Sequence, residues 1–180
     1  GNLGQAQALG TLLDAAEQLR DDPTFRLVLV GSGSRLSWLK TQLEVRSLDN
    51  VVLPGRFPMR TMPAIFERAG ALIVSLTNEA IFEQTIPSKI QAYLAAGRPI
   101  LASLGGEGAR VLVASGAGLV SPPEQVGPLV DNIRYLMALD ASSKEAMGRS
   151  GRTYFDEHFE MNSQVRRLTD FFSQLINNGL

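Results

Sequence analysis

Five short apolar runs, most of them closed by glycine, serine or proline, decide what this chain can fold into. They are Phe25-Arg26-Leu27-Val28-Leu29-Val30, Val51-Val52-Leu53, Ala71-Leu72-Ile73-Val74-Ser75-Leu76, Pro99-Ile100-Leu101-Ala102-Ser103 and Gly118-Leu119-Val120-Ser121. Gly31-Ser32-Gly33-Ser34, Pro54-Gly55, Gly105-Gly106 and Pro122-Pro123 punctuate four of them. The runs are nearly continuous in apolarity and do not alternate. A strand of that kind needs cover on both faces, which is the situation inside a parallel sheet.

Helical spacing fills the intervals. Leu9, Leu12, Leu13, Ala16 and Leu19 fall on one face, as do Leu36, Leu39 and Leu43. Shorter helices are expected around 61–69, 88–96, 107–115 and 127–139. Two more, near 142–158 and 162–177, follow with no strand after them. The alternation predicts an α/β fold, a Rossmann-like doubly wound parallel sheet with helices on both faces. One domain over 1–180 is expected. A sheet of this type opens with a strand that feeds its first glycine-rich turn. Only Gly1 to Gln5 precede the first helix. The expectation is therefore a chain that starts at a domain boundary, with its first strand outside it.

Composition removes several function classes. Formal net charge is −1, without the concentrated basic face that nucleic acid requires. The absence of cysteine excludes disulfides and thiolate metal sites, and suits a reducing cytoplasm. His158 is the one histidine, so no His-cluster metal site is expected. It reads as structural, near a helix end beside Phe155 and Phe159. No apolar run reaches the roughly 18 residues of a membrane span. The opening Gly1-Asn2-Leu3-Gly4 shows no signal-peptide pattern.

In a doubly wound sheet, ligands bind beyond the carboxyl ends of the strands. That selects the loops 1–6, 31–35, 54–60, 77–87 and 104–108. Gly1-Asn2-Leu3-Gly4 fits an anion-binding turn opening a helix and an ordinary tight turn equally well. Gly31-Ser32-Gly33 fits a plain turn better. Ile86-Pro87-Ser88-Lys89 is the sharpest local signal. Ser88 is a good N-cap, which puts Lys89 in a first helical turn, where the dipole disfavours a cation. A bound anion would turn that penalty into a gain, against an alternative in which Lys89 points into solvent. Glu107, after Gly105-Gly106, sits where a helix dipole welcomes an acid, so a structural role leads over sugar binding. Arg56-Phe57 puts a cation and a ring at a strand end, where a base could rest, and Phe57 fits a core position as well. Asp21-Asp22-Pro23 lies at the opposite end of a strand and is not read as a metal site.

Taken in order, these segments resemble the C-terminal domain of retaining glycosyltransferases of family 4, over nearly the whole chain. The carriers are Gly1-Asn2-Leu3-Gly4 with Gln7 and Leu9; Leu53-Pro54-Gly55-Arg56-Phe57-Pro58 with Met62-Pro63; and Ala69 to Leu76. To these are added Ile86-Pro87-Ser88-Lys89-Ile90 through Tyr93-Leu94-Ala95-Ala96-Gly97-Arg98-Pro99-Ile100, and the tail from Met147-Gly148 through Gly151-Arg152 to His158-Phe159. The Pro-Ser-Lys version, with Gly106-Glu107-Gly108-Ala109-Arg110 after it, looks most like bacterial enzymes of surface polysaccharide synthesis, including N-acetyl-fucosamine transferases.

The resemblance implies the C-terminal half of a GT-B fold, with a UDP-sugar as donor substrate, no cofactor and no catalytic metal. It implies donor contacts from Gly1, Asn2, Leu3, Gly4, Gly31, Ser32, Gly33, Arg56, Phe57, Glu83, Pro87, Ser88, Lys89, Gln91, Gly106 and Glu107. Lys89 and Arg56 would carry catalysis by steadying the departing diphosphate. The chain departs from the family pattern at an acidic pair eight positions apart, whose places hold Gln84 and Ala92. Ala92 cannot hold a ribose, which leaves Gln91 or Glu83 to substitute. A basic pair near the first loop falls on Asn2 and Gln7.

The implied partners are the donor, an N-terminal acceptor domain of the same protein outside this chain, and a lipid-linked or saccharide acceptor. Hexosyl or N-acetylhexosaminyl transfer is expected of the full-length protein and none from this domain alone. The implied location is the cytoplasm, at the inner face of the plasma membrane by peripheral association. The alternatives are half of a GT-B-fold nucleotide-sugar epimerase, or a non-catalytic nucleotide-sugar-binding module.

Overall fold

The computed structural model describes residues 1–177, so the last three residues of the expected 1–180 domain lie outside the described residues. Strands and helices alternate as the apolar runs require. The order is α1 (Leu9–Gln18), β1 (Leu27–Val30), α2 (Leu36–Arg46), β2 (Val51–Gly55), α3 (Met62–Glu67), β3 (Leu72–Ser75) and α4 (Ala80–Glu83). Then come α5 (Ser88–Ala96), β4 (Ile100–Ser103), α6 (Gly106–Ser115), β5 (Gly118–Ser121), α7 (Val126–Ala138), α8 (Ala141–His158) and α9 (Met161–Asn177). The short α4 stands in what reads from sequence as the 77–87 loop.

All strand pairs are parallel, in two ladders ordered β1-β2 and β3-β4-β5. The register within β3-β4-β5 is unbroken, with Ile100 opposite both Leu72 and Gly118. The β1-β2 ladder shifts between Val28 and Val30, opposite the stretch containing Pro54. Proline has no N–H to give the ladder, which explains an irregularity there.

Side chains of β4 show why its run had to be apolar throughout. Leu101 joins the core formed with α1, β1 and α7, while Ile100 and Ala102 join a second core with α5 and α6. Successive residues of a strand point to opposite faces, and here both faces are covered. The two cores are the two layers between sheet and helices, as a Rossmann-like α/β fold demands. α8 packs closely on α5 and supports the second core through Tyr154, Phe155 and the closing Phe159. His158 rests on Tyr154, with ring centroids 4.2 Å apart, and not on Phe155 or Phe159, which face each other. A helix brings residues four apart together, so residue 158 meets 154 and residue 159 meets 155. None of the described helices is long and apolar enough to cross a membrane.

Candidate functional site

The loops at the carboxyl ends of β1 and β2, the first four residues and the start of α5 meet at one end of the sheet. The first loop is locked against the turn after β1. Leu3 N–H donates to Ser32 O at 2.8 Å, and Arg35 N–H donates to Leu3 O at 3.0 Å. Gly31 has φ of +146°, and a Cβ there would stand 2.8 Å from the Gly1 carbonyl carbon. A Cβ on Gly33 would stand 2.6 Å from the Leu3 carbonyl carbon. These glycines are present because two backbones touch at this point.

The Gly1–Gly4 turn does not open an α-helix directly. A 3-10 turn at Gln5–Gln7 and Ala8, in a left-handed conformation, come before Leu9. The Gln7 side-chain oxygen accepts from Gly4 N–H at 2.9 Å. With Leu3 N–H given to Ser32 as well, the turn keeps few donors for an anion. Gln7 is thus a structural clasp.

The start of α5 leaves more of its donors free. Its cap is Pro87, with ψ of 133°, and no side chain caps it. Ser88 is therefore the first helical residue and not the expected N-cap. Proline already holds the extended geometry of a cap residue, so the helix starts one position later. The N–H groups of Ser88 and Lys89 consequently have no helical acceptor. Lys89 is half-buried, and burial alone holds its ammonium below the ordinary lysine value. It forms no ion pair or side-chain hydrogen bond among the described residues, and neither does Arg56. Lys89 and Arg56 both lie close enough to Gly1 for their charges to be felt there. Lys89 Cε lies 3.1 Å from where a Cβ on Gly1 would stand. Two cations thus converge on the first loop, neither paired with an acid among the described residues.

These groups are part of the lining of a cavity of about 1470 Å³. Gly1, Asn2, Leu3, Gly31 and Ser32 contribute from the first two loops, with Arg56 and Phe57 from the third. Phe57 is 45% exposed, which settles it outside the core. Ser88, Lys89, Ala92 and Tyr93 contribute from α5. That spacing of one and four selects a single helix face, and Gln91 is not on it. Gly4 and Gly33 lie behind the lining, in the locked loops.

Glu83, Gly106 and Glu107 gather separately at the start of α6. A Cβ on Gly105 would meet the Glu83 carboxylate at 3.2 Å. Glu107 pairs with Arg110 one turn on, at the surface of the same helix. Pro87 leans on the same helix, 3.1 Å from the place of a Cβ on Gly108. Among the described residues no cluster of three or more metal-ligand side chains occurs.

Tyr93 has no role in the sequence reading beyond its place in a motif. It stands edge-on to Phe66 with centroids 5.4 Å apart, and burial raises its hydroxyl above the ordinary tyrosine value. The available signal was its position four residues after Lys89, which places both on one helix face.

The profile of the group 1 glycosyl transferases matches residues 1–138. The chain belongs to this family. A colanic acid biosynthesis glycosyl transferase of Escherichia coli (strain K12), WcaI by name, is 28% identical over 164 residues, covering 88% of this chain and 39% of that protein. The glycosyltransferase WbjE of Pseudomonas aeruginosa is 26% identical over 152 residues, covering 83% and 38%. The chain thus spans about two fifths of the length of these relatives.

Solved structures agree on the fold. Anabaena HepE in complex with UDP has a TM-score of 0.81 at 16% identity, covering 97% of this chain and 47% of that one. A mutant of S. aureus TarM, in complex with UDP and saccharides, has a TM-score of 0.79 at 16% identity, covering 96% and 34%. The C-terminal domain of the group 1 protein LpcC from Francisella tularensis has a TM-score of 0.68 at 15% identity, covering 89% and 85%.

Charge at Lys89 gives the site a pH signature. Its folded-state value is depressed, so the unfolded chain takes up a proton between that value and the ordinary 10.5. Stability of the ligand-free chain therefore rises with pH across that window. Affinity for an anion runs the other way, falling as pH rises through the depressed value and the ammonium loses its proton. Lys89→Arg, charged throughout, is expected to keep its affinity there. Calorimetric titration with UDP at stepped alkaline pH checks both signs.

Proposed function

We propose that this chain binds a UDP-sugar donor as the donor half of a retaining family 4 glycosyltransferase that builds cell-surface polysaccharide. The observation that carries the reading is Lys89, a half-buried ammonium without an acidic partner among the described residues, at an uncapped helix start beside Arg56. A diphosphate supplies the missing negative charge. The bond from the sugar anomeric carbon to the β-phosphate oxygen breaks, charge grows on the departing UDP, and helix N–H groups with Lys89 stabilise it. The acceptor hydroxyl forms the new bond on the same face of that carbon and passes its proton to the departing β-phosphate oxygen. Phe57, Phe66 and Tyr93 give the cavity ring surfaces on which a planar base can rest.

Two further facts support the reading. Anabaena HepE and S. aureus TarM, which share the fold, are solved with UDP. The name of the E. coli relative places that protein in colanic acid biosynthesis. The sugar transferred is a hexosyl or N-acetylhexosaminyl group, in the manner of N-acetyl-fucosamine transferases. The acceptor is lipid-linked, held by an N-terminal domain at the cytoplasmic face of the membrane.

The test is direct. The chain is expected to bind UDP saturably but weakly, since half of the cleft lies outside it. It is also expected to show no transferase turnover, because bringing donor and acceptor together supplies much of the rate. Calorimetry or ligand-observed NMR reads the first, and a UDP-release assay reads the second. Absence of binding at millimolar UDP removes the donor-site reading.

A further inference from the structure

A nucleoside diphosphate is built in a fixed order of phosphates, ribose and base. One face of α5 carries groups in the matching order. Ser88 and Lys89 stand at the helix start, Ala92 stands one turn on and Tyr93 follows, and all four line the cavity. A helix rises about 1.5 Å per residue, so Ala92 lies roughly 6 Å beyond Ser88. Tyr93 meets the Phe66 ring edge-on, with centroids 5.4 Å apart. A ligand whose diphosphate sits at Lys89 and whose base reaches these rings lays its ribose over Ala92. Ala92 is exposed, and its methyl group offers neither a donor nor an acceptor.

A site that reads a ribose hydroxyl needs an acceptor for its proton. The polar side chains nearby are committed elsewhere. A Cβ on Gly4 would stand 2.9 Å from Asn2 Nδ2, and one on Gly33 2.7 Å from Asn2 Oδ1, so the Asn2 amide lies between the two locked loops. The Gln7 side-chain oxygen accepts Gly4 N–H, and Ser75 Oγ donates to Gln7 O at 2.6 Å. Gln91 is not part of the lining. Glu83 is held at the start of α6, where a Cβ on Gly106 would stand 2.6 Å from its carbonyl carbon. Among the described residues, no aspartate or glutamate lines the cavity, and the charged side chains that do are arginines and lysines.

We infer that this site leaves the 2′-hydroxyl of its nucleotide unread, and that 2′-deoxynucleoside diphosphates and their sugars are ligands on a par with UDP and UDP-sugars. Ala92 is the residue that sets this tolerance. The inference rests on the donor-site reading proposed above and narrows it to the ribose. Its energetic basis is an asymmetry. A pocket built to hydrogen-bond a hydroxyl rejects the analogue that lacks it, because the pocket's own polar group is then stranded. A methyl group strands nothing, and a hydroxyl over an exposed alanine keeps its water.

UDP and 2′-deoxy-UDP differ at that one hydroxyl, so base and diphosphate contacts cancel in the ratio of their Kd values. Competition between the two on the whole chain, read by ligand-observed NMR, is expected to give Kd values within about threefold of each other. Ala92→Glu puts a carboxylate over the ribose, and is expected to make UDP bind roughly tenfold or more tighter than 2′-deoxy-UDP. Ala92→Gln supplies an acceptor without a charge to pair with Lys89, and is expected to shift the ratio the same way by a smaller factor. A larger wild-type preference for UDP overturns the inference and leaves the donor-site reading standing. Ratios that stay near one in both variants also overturn it, since they place the ribose away from residue 92. If neither nucleotide binds the wild type, the donor-site reading itself falls, and this inference with it.

Discussion

Lys89→Ala is expected to weaken UDP binding roughly 10- to 150-fold, the loss of a charge-assisted hydrogen bond worth about 1.5–3 kcal/mol. The magnitude follows from the surroundings. Lys89 is half-buried and has no acidic partner among the described residues, so the free protein gains nothing from its charge. The helix start beside it adds to the cost, since a cation in a first turn opposes the dipole. Removing the ammonium should therefore leave the ligand-free chain as stable as before, or slightly more stable. Paired calorimetric titrations, with thermal melts without ligand, separate the two effects. Equal UDP affinity in wild type and variant would take Lys89 out of the site. A loss of affinity matched by a large fall in Tm would mean that Lys89 holds the fold instead.

Gly148→Ala is expected to destabilise the protein by about 1–3 kcal/mol, although the same change in other helices should stabilise it. Gly148 lies inside α8, where alanine ordinarily gains about 1 kcal/mol over glycine. Against this stands the closeness of α8 to the end of α5. A Cβ at 148 would lie 2.8 Å from the Gly97 carbonyl carbon, and nearer still to its oxygen. Both are backbone atoms, so no rotamer can yield and the helices must part. Gly151, about one turn on, also packs closely, with a Cβ there 2.8 Å from Ala117 Cβ and 3.2 Å from Leu94 Cδ2. Leu94 is fully buried in the second core, so separating the helices opens that core as well. Gly10 and Gly127, also helical, have nothing within 4 Å of an added Cβ. Their alanine variants should gain about 0.5–1 kcal/mol. Denaturant melts of the three variants give the signs, and a stabilising Gly148→Ala would refute the close crossing.

Much of the fold was legible because its signals are local. A β4 run of Ile100-Leu101-Ala102 without polar alternation can only be a strand covered on both faces, and Leu9 to Leu19 can only bury one face of a helix. Ser88-Lys89 at the head of α5 was legible for a similar reason, since a charge misplaced against a dipole shows in the order of residues alone. The alternatives the sequence left open were decided by contacts between distant segments. Whether Gly1–Gly4 is an anion turn depended on the partners of its N–H groups, and those turned out to be Gln7 and Ser32. Whether Phe57 joins the core depended on where the loop after β2 lies.

The sequence by itself determined the class of fold, the strand ends whose loops make up the candidate site, and the group 1 glycosyl transferase family, though not a finer division of it. Each of these is written in short-range periodicity and motif order. Only the tertiary structure decided that Lys89 and Arg56 converge on Gly1, and that Tyr93 shares the Lys89 face while Gln91 does not. Those facts depend on backbones far apart in sequence coming within hydrogen-bonding or van der Waals distance, which no local pattern of residues encodes.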